Sequence, residues 1–316
     1  MKTAFVFPGQ GSQKVGMGMD LFESFPVFKS VFSEVSDAVH RDITKISLYG
    51  PESEINKTEN AQVALMAMSV GVFRILKQEL GDCLNISFVA GHSLGEYAAL
   101  VCSGAFELSD MALFLDERGR AMTNAVQEGI GGMAVILGLS KDKIEEIVKQ
   151  STLSDGDMCC IANDNCPGQI VLSGHLTALK RAEEFSTIAG AKRFLILPVS
   201  VPAHSPLMRN AIDILKPKID SLKFSSPTIP FVSNYSIAVE NKEDIIKSHL
   251  LQQMVLGVRW IDCVNYMINE GVNSFVEIGA GMVLSGLIKK IVNSDSIEIK
   301  SINNSEGVSN YVRSYR

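Results

Sequence analysis

Apolar runs of strand length alternate with helix-length amphipathic or buried segments along almost the whole chain, and this rhythm limits its fold more than any other feature. Parallel neighbours in a sheet must be joined by a crossover, usually a helix, so the alternation predicts an α/β fold on a mostly parallel sheet. Thr3 to Phe7 reads as the first strand, Pro26 to Val39 and Glu59 to Leu80 as helices, and Ile86 to Ala90 as the next strand. The second helix is apolar on nearly every face, which places it inside the domain. Its apolar tract from Ala61 to Leu76 is interrupted by Ser69, Gly71 and Arg74, and it falls short of the ~20 residues a membrane span needs.

Between about Gln127 and Val199 the units shorten. Met133 to Leu137, Met158 to Ala162, Ile170 to Ser173 and Phe194 to Leu197 read as strands; Lys141 to Gln150 and Leu176 to Ala189 read as helices. The order is βαββαβ, that of a ferredoxin-like unit. Residues 129–199 are therefore expected to form a small inserted subdomain, with 1–128 and 200–316 forming a large α/β-hydrolase-like catalytic domain. The length of 316 residues suits that division, because a single core usually stops growing below it. After the insert, helices are expected over Pro206 to Leu222, Lys242 to Gln253, Ile261 to Asn269 and Gly281 to Val292, with strands at Pro230 to Ser233 and Ser274 to Ile278.

A formal net charge of -6 argues against a general nucleic-acid binder, which presents a basic excess to phosphates. The six cysteines show no paired CxxC spacing with histidines, so neither a zinc site nor a disulfide framework is indicated, and they read as reduced, mostly buried thiols. The apolar run at the N-terminus ends at Pro8, too short for a signal-peptide core. A cytoplasmic location with no membrane association is expected.

Chemistry enters at Gly91-His92-Ser93-Leu94-Gly95, which lies between the strand Ile86 to Ala90 and helix-compatible residues from Glu96 onward. A serine in a sharp strand-to-helix turn needs neighbours without side chains, and the helix that follows aims backbone N–H groups at a developing oxyanion. With Gly and Ser each near ~7% of residues, this pentapeptide pattern arises by chance in roughly one chain in ten of this length, so its strand-turn-helix context carries the argument. The competing reading is a tight-packing turn. A serine nucleophile also needs a base. Among the histidines, His92 is badly placed to reach its own neighbour, His40 and His249 fall in helical stretches, and His175 falls in a turn. His204, in a loop between a strand and a helix, is by position the one most like a catalytic histidine.

In the helical stretch Asp110 to Val126, Arg118 shares a face with Met111, Phe114, Leu115, Ala121, Met122 and Ala125. An inward guanidinium cannot shed its proton. It requires either an internal carboxylate or a substrate anion, and the sequence leaves both open. The glycine-rich stretch Pro8 to Gly18 follows the first strand, yet it fails both the dinucleotide and the P-loop signatures. A backbone N–H of that loop can instead serve an oxyanion.

Taken together, Phe7-Pro8-Gly9-Gln10-Gly11-Ser12-Gln13, Gly91-His92-Ser93-Leu94-Gly95-Glu96-Tyr97, Arg118-Gly119 and Pro198-Val199-Ser200-Val201-Pro202-Ala203-His204 resemble the malonyl-CoA:acyl carrier protein transacylases of type II fatty acid synthesis. Ala162 to Gln169, Gly190 to Arg193 and Gly279 to Leu284 extend the likeness nearly end to end. The resemblance implies Ser93 as nucleophile, His204 as general base and acid, and Arg118 as clamp for the malonyl carboxylate. It also implies the N–H groups of Gln10 and Leu94 as oxyanion hole and a backbone carbonyl at Gln253 as the group that orients His204. Asn163 and His92 are expected near the coenzyme A pantetheine arm, and Lys192, Arg193, Lys289 and Lys290 as the basic rim that receives an acidic carrier protein. The segment around Gln253 lacks the family's usual proline before Val258-Arg259-Trp260, and Ala280 replaces another common proline.

The expected partners are thus malonyl-CoA and acyl carrier protein, with no resident cofactor, no metal and a monomeric chain. Three alternatives share the motifs: a free-standing acyltransferase of polyketide assembly, a serine thioesterase or hydrolase, and a non-catalytic scaffold. A hydrolase of the α/β type places its histidine near the C-terminus after an acid, whereas more than a hundred residues follow His204.

Overall fold

The computed structural model describes residues 2–199, 201–292 and 296–315, so Ser200 of the His204 motif lies outside the described residues. Strand β1 (Thr3–Phe7) is buried along its whole length. Its alternate side chains serve two cores, with Phe5 and Phe7 entering one apolar layer and Ala4 and Val6 the other. A strand with two apolar faces belongs inside a sheet covered by helices on both sides.

The remaining strands are β2 (Phe88–Gly91), β3 (Gly131–Leu137), β4 (Cys159–Cys166), β5 (Gln169–His175), β6 (Arg193–Ile196), β7 (Phe231–Val232), β8 (Val239–Glu240), β9 (Ser274–Ile278) and β10 (Glu298–Ile302). Six of them form one sheet in the order β10-β9-β1-β2-β7-β8, and every pairing is parallel except that of β7 with β8 at the edge. The chain leaves β1 toward β2 on one side and later returns to β9 on the other. The strand order therefore reverses around β1, and in such sheets the crevice beyond the carboxyl ends at that point is where ligands bind.

Helix Thr58–Leu80 lies within the larger core, buried on all faces from Asn60 to Phe73. Among the described residues no helix is long and apolar enough to cross a membrane.

The other four strands form an antiparallel sheet in the order β4-β5-β3-β6. With helices Lys141–Ser151 and Leu176–Ile188, the chain order is strand, helix, two strands, helix, strand, as the spacing predicts. Both helices cover one face of this sheet, where Ile136, Ile144, Ile147, Leu172 and Leu179 pack together. The expected strand Met158 to Ala162 instead runs on to Cys166, with irregularities between Ile161 and Asn163 and between Asp164 and Cys166. Asn163, Asp164 and Asn165 disfavour a strand by propensity, but tertiary partners hold them there. Asp164 pairs with Lys141 at 3.0 Å, and Asn163 bridges Val258 of the main body.

The short helices Met19–Ser24, Ile43–Tyr49 and Glu52–Ile55, edge strands β8 and β10, and helix Ser305–Arg313 were not expected. All six cysteines are unpaired; Cys83 is exposed, Cys160 is partly buried and the other four are buried.

Candidate active site

Strand β2 delivers Gly91, His92, Ser93 and Leu94 to helix Gly95–Cys102. Ser93 takes the left-handed backbone conformation at φ +52, which costs a side-chain-bearing residue roughly 1–2 kcal/mol. The turn is tight enough to demand its glycines. A Cβ on Gly91 would stand 1.8 Å from the Gly95 carbonyl carbon, and one on Gly95 would stand 2.0 Å from the Phe7 carbonyl oxygen. Asn234, just beyond β7, fixes the turn from outside: its Oδ1 accepts the Ser93 N–H at 2.9 Å and its Nδ2 donates to the Gly91 carbonyl at 2.8 Å.

Ser93 Oγ lies 2.8 Å from His204 Nε2, across 111 residues of sequence. On the far side of the ring, Nδ1 lies 2.6 Å from the Gln253 carbonyl oxygen and 3.2 Å from that of Leu256. A carbonyl only accepts, so Nδ1 carries the hydrogen and Nε2 is left to accept the serine proton. Burial pushes the His204 pKa down to about 4, against the Gln253 carbonyl, which favours the charged ring, and with the Arg118 charge, which disfavours it. The imidazole is therefore neutral near pH 7, as a general base must be. His204 itself sits at φ +61.

The loop after β1 packs directly on this turn, since a Cβ on Gly9 would lie 2.5 Å from the His92 carbonyl oxygen. The His92 N–H donates to the Phe7 carbonyl at 3.0 Å, tying the turn to the end of β1. The backbone N–H groups of Gln10 and Leu94 find no acceptor among the described residues. Leu94 precedes a helix, where free N–H groups and the helix dipole favour an anion.

Helix Leu108–Asn124 presents Arg118 inward at 1% exposure. No carboxylate among the described residues lies within ion-pair distance of it, and its buried Nε has no hydrogen-bond partner. Its guanidinium carbon stands 5.1 Å from the ring centre of Tyr97, which the same turn places in the helix after Ser93. The ion pairs of that helix involve its more exposed residues: Asp116 meets Arg41 at 2.6 Å and Arg120 at 3.1 Å, and Glu117 meets Lys218 at 2.5 Å. Of the two readings open from sequence, the internal ion pair is thus not formed among the described residues.

His92 turns away from Ser93, its Nε2 2.8 Å from Asn165 Oδ1 and its ring edge-on to Trp260. The side chain that meets His92 is therefore Asn165; Asn163, two residues earlier, is buried beside Val258. Lys192 and Arg193 at the start of β6, and Lys289 and Lys290 in helix Val283–Ile291, are exposed and in no ion pair among the described residues. Lys192 covers Gly138, whose N–H donates to the Gly168 carbonyl, while the Lys290 charge reaches Cys166. Two of the four cations thus flank the turn that follows Asn165. Among the described residues no cluster of potential metal ligands is present.

Sequence reasoning missed Asn234, the side-chain role of Gln253, and Glu96. Glu96 is 1% exposed; its Oε1 accepts the Asn234 N–H at 2.6 Å, and its Oε2 accepts a short hydrogen bond from Gln253 Nε2. The same Gln253 nitrogen donates to the Ser93 carbonyl at 3.1 Å. The neighbouring glycine motif offered a location for Glu96, but nothing in the sequence links it to Asn234 or Gln253.

A family profile described as the acyl transferase domain matches residues 4–311. Among curated proteins, the malonyl CoA-acyl carrier protein transacylase of Escherichia coli K12 is 41% identical over 300 residues, covering 95% of both chains. That of Bacillus subtilis is 40% identical, covering 92% of this chain and 90% of its own. Among solved structures, the malonyl CoA-acyl carrier protein transacylase of Coxiella burnetii superposes with a TM-score of 0.95 at 36% identity over 99% of this chain and 97% of that one. A malonyl-transacylase solved in complex with its type II polyketide acyl-carrier protein also gives 0.95, at 39% identity over 99% of this chain and 100% of that one.

Proposed function

Because this chain belongs to the acyl transferase domain family, we propose that it moves a malonyl group from malonyl-CoA to the phosphopantetheine thiol of acyl carrier protein. The reaction passes through a malonyl ester of Ser93. The observation that carries the malonyl assignment is a buried guanidinium, Arg118, with no carboxylate within ion-pair distance among the described residues, close enough to the Ser93–His204 couple to act on the His204 charge.

In the first half-reaction, Ser93 Oγ attacks the thioester carbon while its proton passes to His204 Nε2, and the oxyanion rests on the N–H groups of Leu94 and Gln10. As the C–S bond breaks, the imidazolium returns the proton to the departing coenzyme A sulfur. The second half repeats these steps with the carrier thiol as nucleophile and Ser93 as leaving group. Arg118 selects malonyl because an acetyl group would leave its charge buried without an anion. No cofactor takes part. His92 with Asn165, and Asn163, line the approach of the pantetheine arm, and Lys192, Arg193, Lys289 and Lys290 receive the carrier.

In architectural terms, residues 1–128 and 200–316 act as a hydrolase-like catalytic unit, and residues 129–199 as a ferredoxin-like insert whose strand β4 brings Asn165 to His92. The charge balance and the unpaired cysteines suit a monomeric protein of the cytoplasm. A carrier of polyketide synthesis is a second acceptor, favoured by the relative solved with one; competition between the two carriers for a malonylated enzyme separates them.

Incubation with radiolabelled malonyl-CoA should place the label on Ser93 and allow its chase onto a carrier thiol. Release of the label as free malonate would mean a hydrolase instead. Arg118→Ala should lower malonyl transfer at least ~100-fold while changing acetyl transfer little. An unchanged malonyl-to-acetyl ratio would remove Arg118 from its role.

A further inference from the structure

The Gln253 carbonyl and the turn at Ser93 are both held by one buried carboxyl that takes no part in the acyl transfer itself. Glu96 follows Ser93 by three residues, on the first turn of helix Gly95–Cys102. It has no cationic side chain within ion-pair distance among the described residues, and its two oxygens are devoted to two donors. One is the backbone N–H of Asn234, whose side chain grips the Ser93 N–H and the Gly91 carbonyl. The other is the side-chain amide of Gln253, which also reaches the Ser93 carbonyl, and whose own backbone carbonyl takes the His204 hydrogen.

We infer that Glu96 is a positioning residue for the acyl transfer, acting through Gln253 and Asn234 to hold the nucleophile turn and the histidine's orienting carbonyl in register. The inference rests on the serine-histidine reading of the site but adds a residue to it. A buried polar group of this kind is retained only at a cost. An apolar residue would fill the space without that cost, yet would grip neither the β7 end nor the segment at 253. The charged and titratable groups facing Glu96 are Arg118 from helix Leu108–Asn124, Cys263 from helix Trp260–Asn269, and Tyr97 beside it on its own helix. Burial pushes the carboxyl up to about 8, against the hydrogen bonds from Asn234 and Gln253 and the Arg118 charge.

The geometry it maintains is steep in its effect, since a displacement of about 1 Å in a reacting pair costs on the order of 100-fold in rate. Four proteins decide the matter: the wild type, Glu96→Ala, Glu96→Gln, and Gln253→Leu, which keeps its backbone carbonyl but loses the amide. For Glu96→Ala the expected result is a fall of about 30-fold in kcat, with KM for malonyl-CoA within about twofold of wild type. Glu96→Gln, which keeps one acceptor oxygen, should recover part of the loss. Gln253→Leu should also lose activity, and combining it with Glu96→Ala should add little beyond Glu96→Ala alone, because both cut the same link.

The rate at which a fluorophosphonate labels Ser93 is measured alongside, in molecules counted as folded by their near-ultraviolet circular dichroism. This rate should fall in the same order and does not depend on malonyl being the substrate. If the wild type labels rapidly but transfers no malonyl, the functional reading fails while the Glu96 inference still stands on the labelling series. If folded Glu96→Ala labels and turns over like wild type, or the two substitutions multiply in full, the inference is overturned.

Discussion

His204 shows most directly how a residue's surroundings set its chemistry. Its folded pKa, about 4, lies below its ordinary value because burial disfavours the charged ring. The basic form therefore persists well into acid. Loading of Ser93, measured as kcat/KM for malonyl-CoA, should stay level from pH 7 to about 5 and fall to half near pH 4. A midpoint near 6.5 would mean that the ring is not desolvated. The same depression has a stability counterpart with the sign worked through: the neutral buried ring favours folding above the unfolded pKa, and that contribution is lost as pH falls through about 4. Ser93 and His204 were legible in the sequence because one sits in a constrained turn motif and the other in a motif-bearing loop. Asn234 and Glu96 were not, because their value lies in a contact between residues 138 apart, and no local pattern encodes such a pairing.

At the scale of elements, the long buried units were readable and the short marginal ones were not. Helix Thr58–Leu80 and strand β9 declare themselves by apolar content, whereas β10 carries Glu298 and Lys300 at a sheet edge and is only partly buried. β4 runs beyond the stretch its sequence marks as strand, because an Asn-Asp-Asn run opposes strand propensity and neighbours from other elements keep it extended. Glycine shows the same dependence on context. In the turn after β2, Gly95→Ala would drive a Cβ to 2.0 Å from the Phe7 carbonyl oxygen, and backbone there cannot yield. The substitution should cost about 3 kcal/mol or more in chemical denaturation, with loss of Ser93 labelling. Gly286, exposed within helix Val283–Ile291, has open space around it and an ordinary helical φ. Gly286→Ala should add roughly 0.5–1 kcal/mol of stability and leave transfer unchanged.

Across the whole molecule, two sheets meet at the site. The parallel one contributes Ser93 and the loop bearing Gln10, and the antiparallel one brings Asn165 against His92. A protein of net charge -6 repels an acidic carrier on average, so docking must depend on a local concentration of cations. Lys192→Glu combined with Lys290→Glu should raise KM for the carrier by about tenfold and weaken its salt dependence, while malonyl-CoA loading in the carrier's absence stays unchanged. An unaltered carrier KM would place docking elsewhere. The backbone carbonyl that turns His204 toward Ser93 has a further consequence for inheritance. A carboxylate in that place could be deleted by a single codon change, but every amino acid at position 253 brings a carbonyl with it. What mutation can reach is the course of the chain, so the orienting group is passed on as a fold, and no alignment column spells it.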